Sequence, residues 1–197
     1  IRQAGPGFSA LPLSAITPAD QVMSEGYGNS TDRSVLLYAL CDAAKLKPRF
    51  VLSSGLSQVD DVNAPVTEVF QYGPFNQLLV AVEHDKQTYY LGDSGQYSKM
   101  GTLAHDDRLA IDLSRGEIEV PKALRPNRFS TLFSMNLSPD GDVSLIKKKV
   151  FSGTSFEAFR RRFAQFTPED LRREHQAQLS ALSQSAEMMG PMITSFD

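Results

Sequence analysis

One short stretch constrains this chain more than any other. Leu78-Leu79-Val80-Ala81-Val82 is a continuous apolar run, and Thr88-Tyr89-Tyr90-Leu91, rich in β-formers, follows it across Glu83-His84-Asp85-Lys86-Gln87. Two such runs around a polar turn read as a β-hairpin. With Asp85-Lys86 as the loop, His84 pairs with Gln87, and counting back sets Gln77 opposite Ser94. The strand ends then meet near Gln77 and Asp93.

A helix precedes the hairpin. Over residues 31–46, Val35, Leu36, Leu37, Leu40 and Ala44 cluster at helical spacing, with Asp32 in the first turn and Lys45 in the last. Ser30 or Thr31 reads as the N-cap. Pro48 stops the helix, and Arg49-Phe50-Val51-Leu52 reads as a strand entered directly from it. The polar stretch 53–74 exceeds an ordinary connection, so it reads as a functional loop or holds a short element near residues 66–70. Gly and Pro punctuate the lead-in up to Gly28, leaving room for one short helix over 18–24.

Beyond Pro121 the character changes. Residues 128–138 and 143–150 flank Pro139-Asp140-Gly141-Asp142, a turn composition that predicts a second hairpin. After Gly153, Phe156, Phe159, Phe163 and Phe166 repeat at three and four. After Pro168, Leu171, His175, Leu179, Leu182, Ala186 and Met189 do the same. These predict two amphipathic helices, whose partner in the chain is the second hairpin or else a domain outside it.

The 197 residues are 41% hydrophobic and 22% charged, with net charge -3, which excludes disorder, collagen and a membrane span. The length supports a domain that buries roughly 70% of its extended-chain surface. One Cys forbids an internal disulfide and any multi-cysteine metal site. The charge balance carries no electrostatic footprint for nucleic acid. Ile1 to Gly7 show no signal-peptide pattern and no initiator Met, so the chain reads as a fragment or mature segment of something longer.

Several residues invite a chemical reading. Gly28-Asn29-Ser30-Thr31-Asp32 sets a hydroxyl at a helix start, where backbone amides would stabilise an oxyanion. It approaches the Gly-x-Ser-x-Gly elbow, but Asp32 replaces the second Gly and no strand leads in. The plainer reading is a Ser cap. Cys41 lies about 16 Å along the same helix and reads as a small buried hydrophobe. His84, His105 and His175 are not spaced as metal ligands, so no metal is expected. Arg160-Arg161-Arg162, with Glu157 on the same helix, and Lys147-Lys148-Lys149 read as solvated polar faces. Met188, Met189 and Met192 read as packing, and Asn29-Ser30-Thr31 is also a glycosylation sequon.

Taken together, the helix start, the hairpin and their order resemble the transglutaminase-like proteins of the papain-type superfamily. The likeness is to the bacterial group in which this domain follows a β-rich domain of unknown function. Where that group reads Gly-Asp-Cys-Lys-Asp-Lys, this chain has Gly28-Asn29-Ser30-Thr31-Asp32-Arg33. Phe-Asn-His is matched by Phe75-Asn76-Gln77, and Leu-Asp-Pro-Thr by Leu91-Gly92-Asp93-Ser94. Leu109-Ala110-Ile111-Asp112, Asn127, the Asp140-Gly141 turn and the helix after Gly153 follow the group's order, so the likeness spans residues 1 to about 175.

The resemblance implies an α+β fold: a papain/transglutaminase-like core, a helix packed on an antiparallel sheet, over residues 1–121. A C-terminal β-hairpin with amphipathic helices follows over 122–197. It also implies a degenerate triad, because the family's Cys, His and Asp become Ser30, Gln77 and Gly92, with Asp93 adjacent. A Ser hydroxyl ionises far less readily than a thiol, and Gln cannot take its proton, so a base worth typically 10²–10⁴-fold is lost. His84 cannot substitute, being about 23 Å along the strand from Gln77. The expectation is a pseudoenzyme without a cofactor, a binding or scaffolding module of a larger extracytoplasmic bacterial protein. Its cleft residues Asn29, Ser30, Asn76, Gln77 and Asp93 would take a peptide or glycan-like ligand, and flanking domains of the same polypeptide would be its partners. The competing reading is an enzyme with Ser30 as nucleophile, served by Asp93, Asp60 or Asp61. A third is a spacer whose cleft is plugged by the 53–74 loop.

Overall fold

The computed structural model describes residues 1–5, 16–57, 73–92 and 95–196. The expected element near residues 66–70, most of the 53–74 loop, and Asp60, Asp61, Asp93 and Ser94 lie outside the described residues. Within them the chain is α+β, with two antiparallel sheets, one short parallel strand pair and four helices.

Strand β1 (Arg2–Gln3) lies parallel to β2 (Tyr27–Gly28), and helix α1 (Ala19–Glu25) runs between them. Helix α2 (Ser30–Ala43) follows at once. Its cap is Asn29, neither Ser30 nor Thr31: the Asn29 side chain accepts from the Asp32 amide, and the Asp32 carboxylate accepts in return from the Asn29 amide. This reciprocal pair satisfies two amides that a serine cap alone would leave open. Asp32 also accepts from the Thr17 amide at 2.8 Å, so one buried carboxylate ties the lead-in to the helix start. The helix ends at Ala43, short of the expected residue 46. Lys45 and Lys47 take positive φ, and the chain turns there before Pro48 admits the strand.

The main sheet has five antiparallel strands in the order β5-β4-β3-β6-β7: β3 (Arg49–Ser57), β4 (Phe75–His84), β5 (Gln87–Leu91), β6 (Arg108–Asp112) and β7 (Glu117–Glu119). The first hairpin forms as expected. His84 pairs with Gln87, and Asp85 and Lys86 both take positive φ, the geometry whose twist matches the flanking strands. Strand β3 runs longer than residues 49–52 because it pairs on both sides, with β4 and with β6.

Alternation divides the core. Toward α2, Val80 and Val82 pack with Cys41, and Tyr38 stacks on Phe50 at 4.3 Å. Cys41 is therefore the buried hydrophobe expected of it, and burial pushes its thiol pKa up. On the opposite face Val51, Leu79, Ala81 and Ala110 pack against Leu103, with Tyr90 and Ala123 at the margin.

That opposite face also holds a part-buried charge cluster around buried Asp112. Arg49 reaches Asp112 and Glu119, each at 2.9 Å. Burial would raise the Asp112 pKa, but hydrogen bonds from the Ser114 hydroxyl and amide, and the Arg49 charge, outweigh it and hold it below the usual value.

The second hairpin pairs β8 (Arg128–Leu137) with β9 (Val143–Ser152) in full register and joins no other strand among the described residues. Helix α3 (Thr154–Phe163) braces its base: Phe159 stacks on Phe151 at 3.6 Å, and Phe151 on Phe129 at 5.0 Å. Of the two partners left open for the phenylalanine helix, the second hairpin is the one it meets. Helix α4 (Pro168–Ser180) ends well before Met189; Ser185 donates its amide to the Ser183 hydroxyl and turns the chain away.

Arg161 and Arg162 are exposed and ion-paired, with Glu157 and Glu174 respectively. Glu157 is not on the solvated face expected of it. It is buried, takes the Ser98 hydroxyl, and lies so close to Gly95 that a Cβ there would strike its carboxylate. The loop after β5 and helix α3 thus close on one carboxylate.

Because the Asp112 pKa is depressed in the folded state, its contribution is present above the unfolded value and is lost as pH falls through the folded one. Asp112→Asn is expected to lose about 1.5–3 kcal/mol at pH 7. In urea unfolding series, its deficit relative to the parent should shrink below about pH 4. A deficit that does not change with pH would reject the assignment.

Candidate functional site

The site is built where the first turn of α2 meets the start of β4. Ser34, one turn into the helix and fully buried, donates its hydroxyl to the Leu78 carbonyl at 2.8 Å. The same hydroxyl lies 3.2 Å from the carbonyl of Ser30. Gln77 folds its amide onto the same Leu78 carbonyl at 3.1 Å. Gly92, just past β5, comes in beside them: a Cβ there would stand 3.0 Å from the Ser34 hydroxyl and 3.4 Å from the Leu78 carbonyl. Gln77 and Gly92 thus meet at the Leu78 carbonyl, and Ser30 joins them through its backbone carbonyl, one turn back from the Ser34 hydroxyl.

Their chemistry differs. Ser30 is the first residue of α2 and half-buried, and its hydroxyl has no hydrogen-bond partner among the described residues. Gln77 uses its amide as a donor to Leu78, so it holds strand backbone in place and offers no proton acceptor with useful basicity. Gly92 has φ +112, a conformation open to glycine and strained for a residue with a side chain.

The other candidates are scattered. Asn29 is buried, and its side-chain oxygen is occupied by capping, so it is not a free cleft residue. Asn76 is exposed beside Gly55. Asp93, the alternative acid, lies outside the described residues. His84 sits at the far end of β4, exposed and 3.4 Å from Asp85, and pairs with Gln87 well away from Gln77. His105 is in the loop before β6, and His175 is on α4.

Among the described residues there is no group of three or more His, Cys, Asp or Glu arranged to hold a metal ion, and no helix long and apolar enough to cross a membrane. The open depression at the base of the second hairpin, lined by Asn127, Phe129, Val150 and Ser152 among others, contains none of the triad-equivalent residues.

One residue that carries this site, Ser34, escapes a reading of motifs. Its signal is faint: a Ser one turn after the helix start, among Val35, Leu36 and Leu37. Thr31, a cap candidate by sequence, is instead buried with its hydroxyl unpaired.

Comparison with protein-family models, curated proteins and solved structures finds no match.

The Gly92 geometry yields a direct test. Gly92→Asp and Gly92→Ala should each destabilise the fold by about 1–3 kcal/mol in urea unfolding, because both add a Cβ at a strained φ beside Ser34. If Gly92→Ala is neutral while Gly92→Asp is costly, charge and not backbone shape governs the position.

Proposed function

We propose that this chain is a non-catalytic, transglutaminase-like module, a pseudoenzyme with a papain-type core, that binds or scaffolds within a larger bacterial extracytoplasmic protein. The observation that carries the reading is the double use of the Leu78 carbonyl. In a working thiol enzyme the residue at the Gln77 position must present a basic nitrogen to the nucleophile. Here that residue is an amide engaged with backbone. The hydroxyl at the nucleophile position has no base beside it among the described residues, and the acid position is a glycine with a conformation suited to glycine.

What is retained also matters. A helix start capped by Asn29 and Asp32, set against a strand end, keeps the order of elements the resemblance implies without its chemistry. On this reading the cleft takes an extended peptide or a glycan-like chain through backbone and hydroxyl contacts, with exposed Asn76 and half-buried Ser30 and Gln77 at hand.

Two measurements test this. Incubation with acyl donors and amines, or with peptide and ester substrates, should give no turnover that Ser30→Ala abolishes. Ser30-dependent turnover would establish the nucleophile reading instead. The layout is tested separately with Ser30→Cys and with Ser30→Cys/Gln77→His. Iodoacetamide alkylation of the single variant should titrate near pH 8.5, and the double variant should react at clearly lower pH as a thiolate–imidazolium pair forms. Identical profiles would mean that positions 30 and 77 are not related as nucleophile and base.

A further inference from the structure

The second hairpin has two unlike faces. Directly opposed residues of an antiparallel pair share a face and successive ones alternate, so Phe133, Met135 and Leu137 of β8 lie together with Val143 and Leu145 of β9. Phe133, Met135, Leu137 and Val143 are each between 48% and 73% exposed. On the other face Ser130, Ser134, Asn136 and Ser144 intersperse the apolar side chains. Helix α3 stacks on the first face at its base, where Phe159 meets Phe151. Toward the turn that face is a contiguous apolar patch of the kind that marks an interaction surface.

The charges on the patch select what can cover it. Lys147 and Lys149 share this face with the apolar residues, and Lys147 stands over the Phe133 ring at 5.6 Å. Neither strand carries an Asp or Glu, and neither lysine has a carboxylate partner among the described residues. A neutral apolar partner would bury both ammonium groups unpaired, and a second copy of the same face would bring two more of them. The occupant must therefore offer hydrocarbon and negative charge side by side.

We infer that this face docks on the anionic surface of a lipid bilayer. Phe133, Met135, Leu137, Val143 and Leu145 enter the boundary between headgroups and acyl chains, and Lys147 and Lys149 reach the phosphates. That boundary supplies hydrocarbon and negative charge together, in a layer that deforms to fit. Lysine suits the place, because its stem lies along apolar surface while its ammonium stays at phosphate level. An acidic peptide would call for a groove, and the depression at the hairpin base is lined instead by Ser130, Val150 and Ser152 of the opposite face, among others.

The turn sets the orientation. Asp140 and Asp142 are exposed there. A carboxylate is costly in hydrocarbon and is repelled by phosphate, so the ribbon does not enter turn first. It lies on its face, with the turn at the wet margin of the patch. Lys147 stands at the other end, about 13 Å along the ribbon from Leu137 and Val143. Ile146 and Lys148, on the opposite face, look away to water.

The test uses the intact chain and vesicles of phosphatidylcholine containing about 30% phosphatidylglycerol. The chain should co-sediment with them at least about tenfold more tightly than with phosphatidylcholine alone, and should be released by high salt. Lys147→Gln/Lys149→Gln and, separately, Met135→Ser/Leu137→Ser should each weaken binding by about tenfold or more, whereas Ile146→Ser on the opposite face should leave it nearly unchanged. A polarity-sensitive dye attached at Leu137→Cys should shift to the blue on vesicle binding, and the same dye at Ile146→Cys should not. A chain that ignores the anionic vesicles would overturn the proposal, as would equal sensitivity of the two faces. Retention on poly-glutamate without vesicle binding would overturn it in favour of an acidic polypeptide.

Discussion

The arrangement of this protein hangs on the hydrogen bond from the Ser34 hydroxyl to the Leu78 carbonyl. A strand interior offers few carbonyls to a helix, because the ladder takes most of them. Here β4 gives one up where its pairing with β5 has ended, and a fully buried serine takes it. That contact fixes how far along β4 the start of α2 sits, and therefore where Ser30, Gln77 and Gly92 fall with respect to one another. Removing the hydroxyl would leave the carbonyl to Gln77 alone, at the cost of one buried hydrogen bond, on the order of 0.5–1.5 kcal/mol. Apolar packing of Val80, Val82 and Cys41 supplies adhesion between helix and sheet, but it is non-directional. The hydrogen bond supplies the register.

The two halves of the chain are stabilised by different means. The five-stranded sheet packs apolar clusters on both faces and ties its one buried carboxylate among the described residues, Asp112, to Arg49. The second hairpin leans on one helix through a ladder of phenylalanines, Phe129, Phe151, Phe159 and Phe163, and leaves most of its length in water. The first half is thus held by enclosure and the second by a single stacked spine.

How much of this was legible in the sequence depends on the range of the interactions. The β4–β5 hairpin and α2 were readable because a turn pair, an apolar run and a stopping proline act over a few residues. The Asn29 cap was equally local, since Asn29 and Asp32 stand at cap spacing, but the neighbouring serine and threonine offered competing candidates. Strand β7 and the charge on Asp112 were hidden: Arg49 joins Asp112 across 63 positions and Glu119 across 70. The end of α4 was misread because apolar spacing continues past Ser180 while Ser183 quietly redirects the backbone. At the site, the resemblance named positions 30, 77 and 92, whereas the residue that gathers them, Ser34, belongs to no motif.

The closure of Glu157 on Gly95 and Ser98 has a consequence for how this protein can vary. Side-chain size at 95 and side-chain length at 157 draw on the same small space, although the positions are far apart in the chain. A methyl gained at 95 would push the Glu157 carboxylate aside, and a shortened 157 would leave both the Ser98 hydroxyl and Arg161 without their partner. A change at 95, 98 or 157 is therefore felt at the other two, and correlated substitution among them is the record such a contact is expected to leave in related chains.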